Sequence, residues 1–325
     1  MKFSNVKLKH GVMLAPMAGF SDRALRRVSH IYGAEYSVTE MVSGKAVVYN
    51  DEKTFRLARI QADEGKVAVQ IFGSEPDILA RAASILSSSK YGERPVAIDI
   101  NMGCPVRKVF TNNEGSALMA SPELIYRITR SVTAATDLPV TVKMRAGIDG
   151  ENKNAVECAL AAESGGASLV TVHGRTRAEL YSGKVDLNII KSVKEALKIP
   201  VIANGDIIDA ASALFTLNYT HADGIMIGRG AIGNPFVFSE ILSALEGQPY
   251  TPPSLDERCE TALLQLQVAV EDKGEAVAVR EARGQIAQYM RGFHGAARLR
   301  ADINRATTYK EVEIAFENAK THSEN

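Results

Sequence analysis

Residues 201–230, VIANGDIIDAASALFTLNYTHADGIMIGRG, hold one complete strand–helix–strand unit. The apolar run 201–203 stops at Asn204-Gly205-Asp206, and a second run, 224–227, stops at Gly228. Both runs are too short for helices and are bounded by turn formers, so they read as buried strands. Between them Asp209 precedes an Ala-rich stretch through 217. An Asp there supplies an acceptor for the free N–H groups of a helix start. Continuous apolar strands separated by a helix belong to a parallel sheet that is covered by its helices.

The same unit recurs outward. Runs at 12–15, 36–39, 67–71, 96–100, 140–143 and 169–173 bring the set to eight strands. Helical stretches intervene at 76–87, 122–135, 154–164 and 187–196, with Pro76 behind Ser74 and Glu75, and Pro122 behind Ser121, as start signals. Eight βα units favour closure into a parallel (β/α)8 TIM barrel, an α/β fold, over an open doubly wound sheet. The turn formers of 247–254 mark a linker, and 255–318 carries helical patterns only. The expected organisation is a barrel domain over 1–246 and a smaller all-helical C-terminal domain over 255–325.

The 325 residues are 46% apolar and 23% charged, with 38 basic against 38 acidic side chains. That balance excludes a whole-chain field for nucleic acid or membrane, so any such affinity must be local. Cys104, Cys158 and Cys259 show no pairing pattern, which fits a reducing compartment. No apolar run approaches the roughly 20 residues of a membrane span, and the N-terminus lacks a signal-peptide core. A cytoplasmic protein without membrane attachment is expected.

In such a barrel, function collects at the C-terminal strand ends. These ends read Pro16-Met17-Ala18-Gly19, Gln70, Asn101-Met102-Gly103-Cys104-Pro105, Lys143-Met144-Arg145, His173-Gly174-Arg175-Thr176-Arg177, Asn204-Gly205-Asp206 and Gly228-Arg229-Gly230. Small residues after strands seven and eight let backbone N–H groups approach an anion, and a helix near Pro235 would add its dipole. Glycines also serve tight turns, but two adjacent ends carrying them favour the fold's phosphate site. Gly228, Gly230 and Gly233 also spell a dinucleotide fingerprint; no βαβ unit follows, which rejects that reading.

Lys143 ends an apolar strand and needs an anion at the mouth. A reduced flavin, anionic around N1 and C2=O, satisfies it, and so does a neighbouring carboxylate. His173 is either a second donor to such a ring or a satisfied core histidine. Gln70 has donors and an acceptor for a pyrimidine-like edge, or for a partner inside the barrel. Cys158 and Cys259 read as packing residues, whereas Cys104 sits in a Gly-Cys-Pro turn on a mouth loop. A metal site lacks CxxC, HExxH or a nearby His, and a nucleophile lacks a histidine base. A proton donor is the role left for Cys104.

Together Leu14-Ala15-Pro16-Met17-Ala18-Gly19-Phe20-Ser21-Asp22, Val69-Gln70-Ile71-Phe72-Gly73-Ser74, Asp99-Ile100-Asn101-Met102-Gly103-Cys104-Pro105, Val142-Lys143-Met144-Arg145, His173-Gly174-Arg175-Thr176-Arg177, Ile202-Ala203-Asn204-Gly205-Asp206-Ile207 and Met226-Ile227-Gly228-Arg229 resemble the tRNA-dihydrouridine synthase family, its bacterial branch most of all. The resemblance implies FMN over the mouth, NADPH as reductant, and reduction of the uridine 5,6 double bond in tRNA. It implies Pro16, Met17 and Ala18 against the flavin, and Gln70, Lys143 and His173 at its ring system. Asn204, Gly205, Asp206, Gly228 and Arg229 would hold its ribityl phosphate. Asn101 would bind the uracil, Cys104 would protonate its C5, and Arg175 and Arg177 would contact the substrate. A base stacked in folded tRNA has to be flipped into the pocket.

The helical domain then acquires a role as the tRNA-binding part. Arginines 280, 283, 291, 298, 300 and 305 face only Glu281 and Asp302 in that stretch. Arginine suits phosphate, and Tyr289, Phe293 and His294 offer stacking surfaces, although such a stripe is also an ordinary solvated helix face. Arg298 and Arg300 are taken as tRNA contacts. Family members often carry Arg-Lys-His and then Trp-Tyr here; this chain has Arg283-Gly284-Gln285 and Gln288-Tyr289. Two rivals are a dihydroorotate-dehydrogenase-type enzyme acting on a free pyrimidine and an RNA-binding protein on a decayed barrel. Neither oligomeric state nor the choice of uridine is encoded in this pattern.

Overall fold

The structure, a computed structural model, describes residues 1–292 and 296–323. Its centre is a ring of eight parallel strands: β1 (Val12–Leu14), β2 (Tyr36–Val38), β3 (Val67–Phe72), β4 (Ala97–Met102), β5 (Val140–Arg145), β6 (Leu169–His173), β7 (Val201–Asn204) and β8 (Gly224–Ile227). Each pairs with its chain neighbour, and β8 pairs with β1 with Met226 opposite Met13. That last pairing closes the ring and removes the open-sheet alternative.

Strand alternation divides the side chains. Ile98, Ile100 and Met102 of β4 and Val140, Val142 and Met144 of β5 pack outward beneath the helices. The inward face changes character along each strand. At the lower end Met13, Tyr36, Ala68, Ala97, Leu169 and Ile202 form an apolar plug. A hairpin of Lys2–Phe3 and Val6–Lys7 seals it, with Phe3 edge-on to Tyr36 at 5.8 Å. Toward the mouth the same faces continue as Gln70, Asp99, Asn101, Thr141, Lys143, Arg145, His173 and Asn204.

The outer helices are α1 (Arg23–Ile31), α2 (Pro76–Leu86), α3 (Pro122–Ala134), α4 (Ala155–Ser164), α5 (Leu187–Ala196), α6 (Ala210–Thr220) and α7 (Val237–Leu245). Ser121 accepts from the Leu124 amide at 3.3 Å and Asp209 from the Ser212 amide at 2.8 Å, as their positions predict. Such caps contribute about 1 kcal/mol each. At α2 the start rests on Pro76, because Glu75 makes no side-chain cap.

Residues 248–254 have no regular structure, and helices alone follow: α8 (Leu255–Lys273), α9 (Glu275–Ile286), α10 (Ala296–Arg305) and α11 (Tyr309–Ser323). They enclose their own core around Cys259, Leu266, Ile286, Met290, Ile303 and Phe316. Phe236, ahead of α7, enters that core and meets Tyr32 at 4.5 Å. Tyr32 shares a 2.8 Å hydrogen bond with Thr261, and Lys273 pairs with Asp22 at 2.7 Å. The approach is close: a Cβ on Gly233, which has φ +65°, would stand 2.5 Å from Gln288 Cβ.

Candidate active site

Cys104 follows β4 and is buried, only 9% exposed. Its turn is held from three sides. Asn101 Oδ1 accepts from the Cys104 amide at 2.9 Å and the Gly103 amide at 3.2 Å. The Cys104 carbonyl accepts from Ser116 Oγ at 2.8 Å. Gly115, at φ +61°, passes so near that a Cβ would lie 3.0 Å from that of Cys104. Burial pushes the thiol pKa up, while the Val106 amide and the Arg145 charge favour the thiolate.

Behind Asn101 runs a buried polar chain. Asn101 Nδ2 donates to Gln70 Oε1 at 2.8 Å, and Gln70 Nε2 donates to Asp99 Oδ2 at 2.6 Å. Thr141 Oγ1 donates to the other Asp99 oxygen at 2.5 Å. Gln70 therefore has the partner inside the barrel that its residue type allowed, and at 1% exposure its amide is largely committed to it.

Lys143 sits one strand over, in register with Asn101, and donates to Asn204 Oδ1 at 2.9 Å. Asn204 in turn donates to the Met226 carbonyl at 2.7 Å. Among the described residues no carboxylate lies within ion-pair reach of Lys143, so the carboxylate alternative is not realised. Burial, with Arg145 adding to it, pulls its pKa down to about 8. His173 is buried beside Lys143, Arg145, Arg175 and Arg229, and desolvation with those charges drives its pKa to about 2. It is a neutral imidazole at any physiological pH.

Two buried arginines shape the rim. Arg145 Nε donates to the Gly103 carbonyl at 2.8 Å, and its Nη1 donates to the Thr176 and Leu180 carbonyls at 2.9 and 3.0 Å. It thus ties the Cys104 turn to the loop after β6. Arg175 forks onto Asp206 at 2.8 and 2.7 Å and also donates to the Ser182 and Gly183 carbonyls. At 2% exposure it orders the rim and does not reach a substrate from this position. Arg177 lies 3.9 Å above the Phe110 ring, next to the Cys104 turn, with its Nε buried and unpartnered among the described residues. Arg229 is half-exposed, 3.5 Å from Asp206 and 4.6 Å from the Tyr181 ring.

Asp206 adopts φ +54° and accepts from Val185 as well as Arg175, which hold its carboxyl below the usual range. Gly205 is tight for a reason: a Cβ there would meet the His173 ring at 2.9 Å. Across the mouth a Cβ on Gly228 would have 3.6 Å to Met17 Sδ, so the loops after β1 and β8 adjoin. Pro16 and Met17, half-buried, and Ala18, exposed, lie on that side. The strand-end residues of the sequence motifs thus share one basin. Arg145, the last residue of β5, joins them, as do Asp99 and Tyr181, which strand-end position alone does not mark.

The helical domain corrects one expectation. Tyr289 is fully buried and its hydroxyl donates to Gln265 Oε1 at 2.6 Å, so it offers no stacking surface. Arg283 is also internal in effect, donating twice to the Ala306 carbonyl, and Arg305 pairs with Asp302 at 2.6 Å. Arg280, Arg291, Arg298 and Arg300 are exposed. Phe293 and His294 lie outside the described residues.

A profile of the family described as Dihydrouridine synthase (Dus) matches residues 13–324. The chain is 42% identical to tRNA-dihydrouridine synthase B of Pasteurella multocida (strain Pm70), over 98% of this chain and 95% of that one. The chain belongs to the dihydrouridine synthase family. It is also 40% identical to a probable tRNA-dihydrouridine synthase of Rickettsia conorii, covering 94% of this chain and 91% of the relative. Among solved structures, a variant of NCR from Zymomonas mobilis has a TM-score of 0.52 at 14% identity, over 79% of this chain and 93% of that one, a likeness of fold alone. As a dihydrouridine synthase the chain is a flavin-dependent oxidoreductase that reduces uridine in tRNA. No helix among the described residues is long and apolar enough to cross a membrane.

Proposed function

We propose that the barrel mouth binds FMN, that NADPH supplies the electrons, and that Cys104 delivers the proton to C5 of a tRNA uracil. One observation carries this reading. Lys143 is an ammonium at the mouth whose only side-chain acceptor among the described residues is the neutral Asn204, and it stands in register with Asn101, which holds the turn of a buried, protonated thiol. Such a basin of uncompensated donors fits an electron-rich ring and a phosphate better than it fits water.

When bound, the flavin passes two electrons from the nicotinamide to the uracil ring. The chain does the rest. Lys143 and the neutral His173 hold the ring edge, with Gln70 and the residues Pro16, Met17 and Ala18 around it. Asn204, Gly205, Asp206, Gly228 and Arg229 hold the phosphate end, where Asp206 acts by fixing Arg175 and orienting the turn. Asn101 has one N–H left for a uracil carbonyl, since the other goes to Gln70 and its oxygen serves two backbone amides. The raised thiol pKa keeps the Cys104 proton in place at neutral pH, and Arg145 stabilises the thiolate once the proton has gone. Arg177 lies where a flipped nucleotide would enter. The helical domain, through Arg298 and Arg300, takes the tRNA body in the cytoplasm.

Purified protein should be yellow and release FMN on denaturation. With NADPH it should form dihydrouridine in tRNA that lacks it and leave free uridine untouched. Turnover of free uridine or dihydroorotate with unchanged tRNA would overturn the reading.

A further inference from the structure

The Asp99 carboxylate is 3% exposed and contacts no cation among the described residues. Burying a charge without an ion partner is costly, so its retention calls for a reason. The reason lies in the direction of the hydrogen-bond chain it terminates.

Two amide side chains, Gln70 and Asn101, connect Asp99 to the Cys104 turn, and each amide can in principle be turned either way. Here neither can. At one end the Cys104 and Gly103 backbone amides can only donate, so Asn101 must face them with Oδ1. Its Nδ2 then faces Gln70 Oε1, and Gln70 Nε2 faces Asp99. At the other end an ionised carboxylate can only accept, so it demands the same orientation. A neutral Asn or Gln at position 99 would itself be reversible; a carboxylate is not. The Gln70 and Thr141 hydrogen bonds and the Lys143 charge oppose the desolvation that pushes the Asp99 pKa up.

We propose that Asp99 is a positioning residue for uridine reduction: through Gln70 and Asn101 it locks the orientation of both amides and so fixes the turn that carries Cys104. This rests on Cys104 being the proton donor. Asp99 touches neither substrate nor cofactor; it acts by holding the residues that do. Thr141 donates to the other Asp99 oxygen and takes no part in the relay.

The test compares Asp99→Leu with Asp99→Asn in flavin-loaded protein. Leu ends the relay, whereas Asn still offers Gln70 an acceptor oxygen. For Asp99→Leu, kcat for dihydrouridine formation should fall about 100-fold, as for a misplaced reacting group. KM for tRNA should stay within about two-fold, because the tRNA body is held outside this relay and Asn101 supplies a single contact. Alkylation of Cys104 by iodoacetamide, located by mass spectrometry, should speed up roughly ten-fold as the turn loosens. Asp99→Asn, whose oxygen can still accept from Gln70 but whose amide is free to turn, should recover part of both. Folded Asp99→Leu protein with wild-type kcat and wild-type labelling overturns the proposal. So does an Asp99→Asn variant as impaired as Asp99→Leu. If Asp99→Leu does not fold, Gln70→Leu cuts the same relay one link later and is judged by the alkylation rate alone, since Gln70 also stands at the proposed flavin ring; wild-type labelling there overturns the proposal. The alkylation arm also separates this proposal from the one beneath it. Undiminished dihydrouridine from Cys104→Ala removes the donor role, while the labelling comparison still reports whether Asp99 holds the turn.

Discussion

Arginine behaves differently in the two halves of the molecule. At the mouth Arg145 and Arg175 are 3% and 2% exposed, and each is caught by backbone carbonyls of the loop after β6. On α9 and α10, Arg280, Arg298 and Arg300 reach into solvent with no ion partner among the described residues. The first pair holds the loops around the site in place before substrate arrives, its donors spent on those loops. The second set is a solvated charge supply, worth little until a phosphate meets it. On the proposed reading, chemistry and docking are thus separated: reaction would depend on exact placement at the mouth, and tRNA capture on charge spread over a helical face.

The sharpest way to break that division is at Cys104. Cys104→Ala should keep its flavin and its NADPH oxidation while dihydrouridine formation falls by roughly 10²–10⁴-fold, the range for removal of a general acid. Quantifying dihydrouridine by nucleoside mass spectrometry decides it, and a wild-type yield would sink the assignment. The surrounding charge also predicts a pH profile. The thiol is raised above its ordinary value, so the wild-type rate should hold through neutral pH and decline only in alkali. With His173 held neutral down to about 2, no histidine limb should appear between pH 5 and 8.

Lys143 comes next. Lys143→Met should weaken FMN binding about 10- to 100-fold, as for removal of a charge-assisted hydrogen bond. Its pKa in the free protein is pulled from 10.5 to about 8. Wild-type affinity for FMN should therefore fall as pH rises through about 8, and Lys143→Met should show a flat profile there. Between about 8 and 10.5 the unfolded chain binds the proton that the folded one has released, so this group makes the flavin-free protein more stable as pH rises through that window. A flavin titration by fluorescence quenching across pH tests the binding claim.

Why the mouth was legible and the helical face was not has a physical cause. A strand end in a closed barrel has one destination, so naming Lys143, His173 and Asn204 by their place at the ends of β5, β6 and β7 was enough to gather them. The same alternation puts Asp99 two residues before Asn101 and Arg145 two after Lys143 on the inward face. Both were readable from the two-residue period; Arg145 stands at the very end of β5, whereas Asp99 lies deeper in β4 than the residues at the mouth. Tyr181 was not readable, because its loop is shaped by the carbonyls that Arg145 and Arg175 hold. Tyr289 shows the opposite error. A charged stripe suggested exposure, yet Gln285 and Ile286, one turn earlier, are buried, and helical spacing carries Tyr289 to the same side.

Arg283 sharpens the contrast from inside the helical domain. It shares the stripe with Arg298 but closes the end of α10 through the Ala306 carbonyl. Arg283→Ala should lower stability by roughly 1–3 kcal/mol, the range for a hydrogen bond to a charged group. Thermal melting reads this, and any drop in tRNA affinity should track the unfolded fraction.

The smallest effect belongs to the exposed pair. Arg298 and Arg300 face solvent on α10, either side of the buried Leu299. Neither supports the fold, so Arg298→Ala/Arg300→Ala should melt like wild type and turn over fully at saturating tRNA. What should change is capture. For every phosphate left unneutralised, the slope of log affinity against log salt should drop by about 0.7–0.9, with roughly ten-fold weaker binding at low salt for the pair and a smaller effect as salt rises. Filter binding of tRNA over a salt series measures both. An unchanged slope would return these two residues to an ordinary solvated helix face and move the docking surface to Arg280 and Arg291, where the same titration applies. A changed slope with unchanged kcat would show that placing the reacting base and holding the tRNA are tasks of different residues, as the buried and exposed arginines suggest.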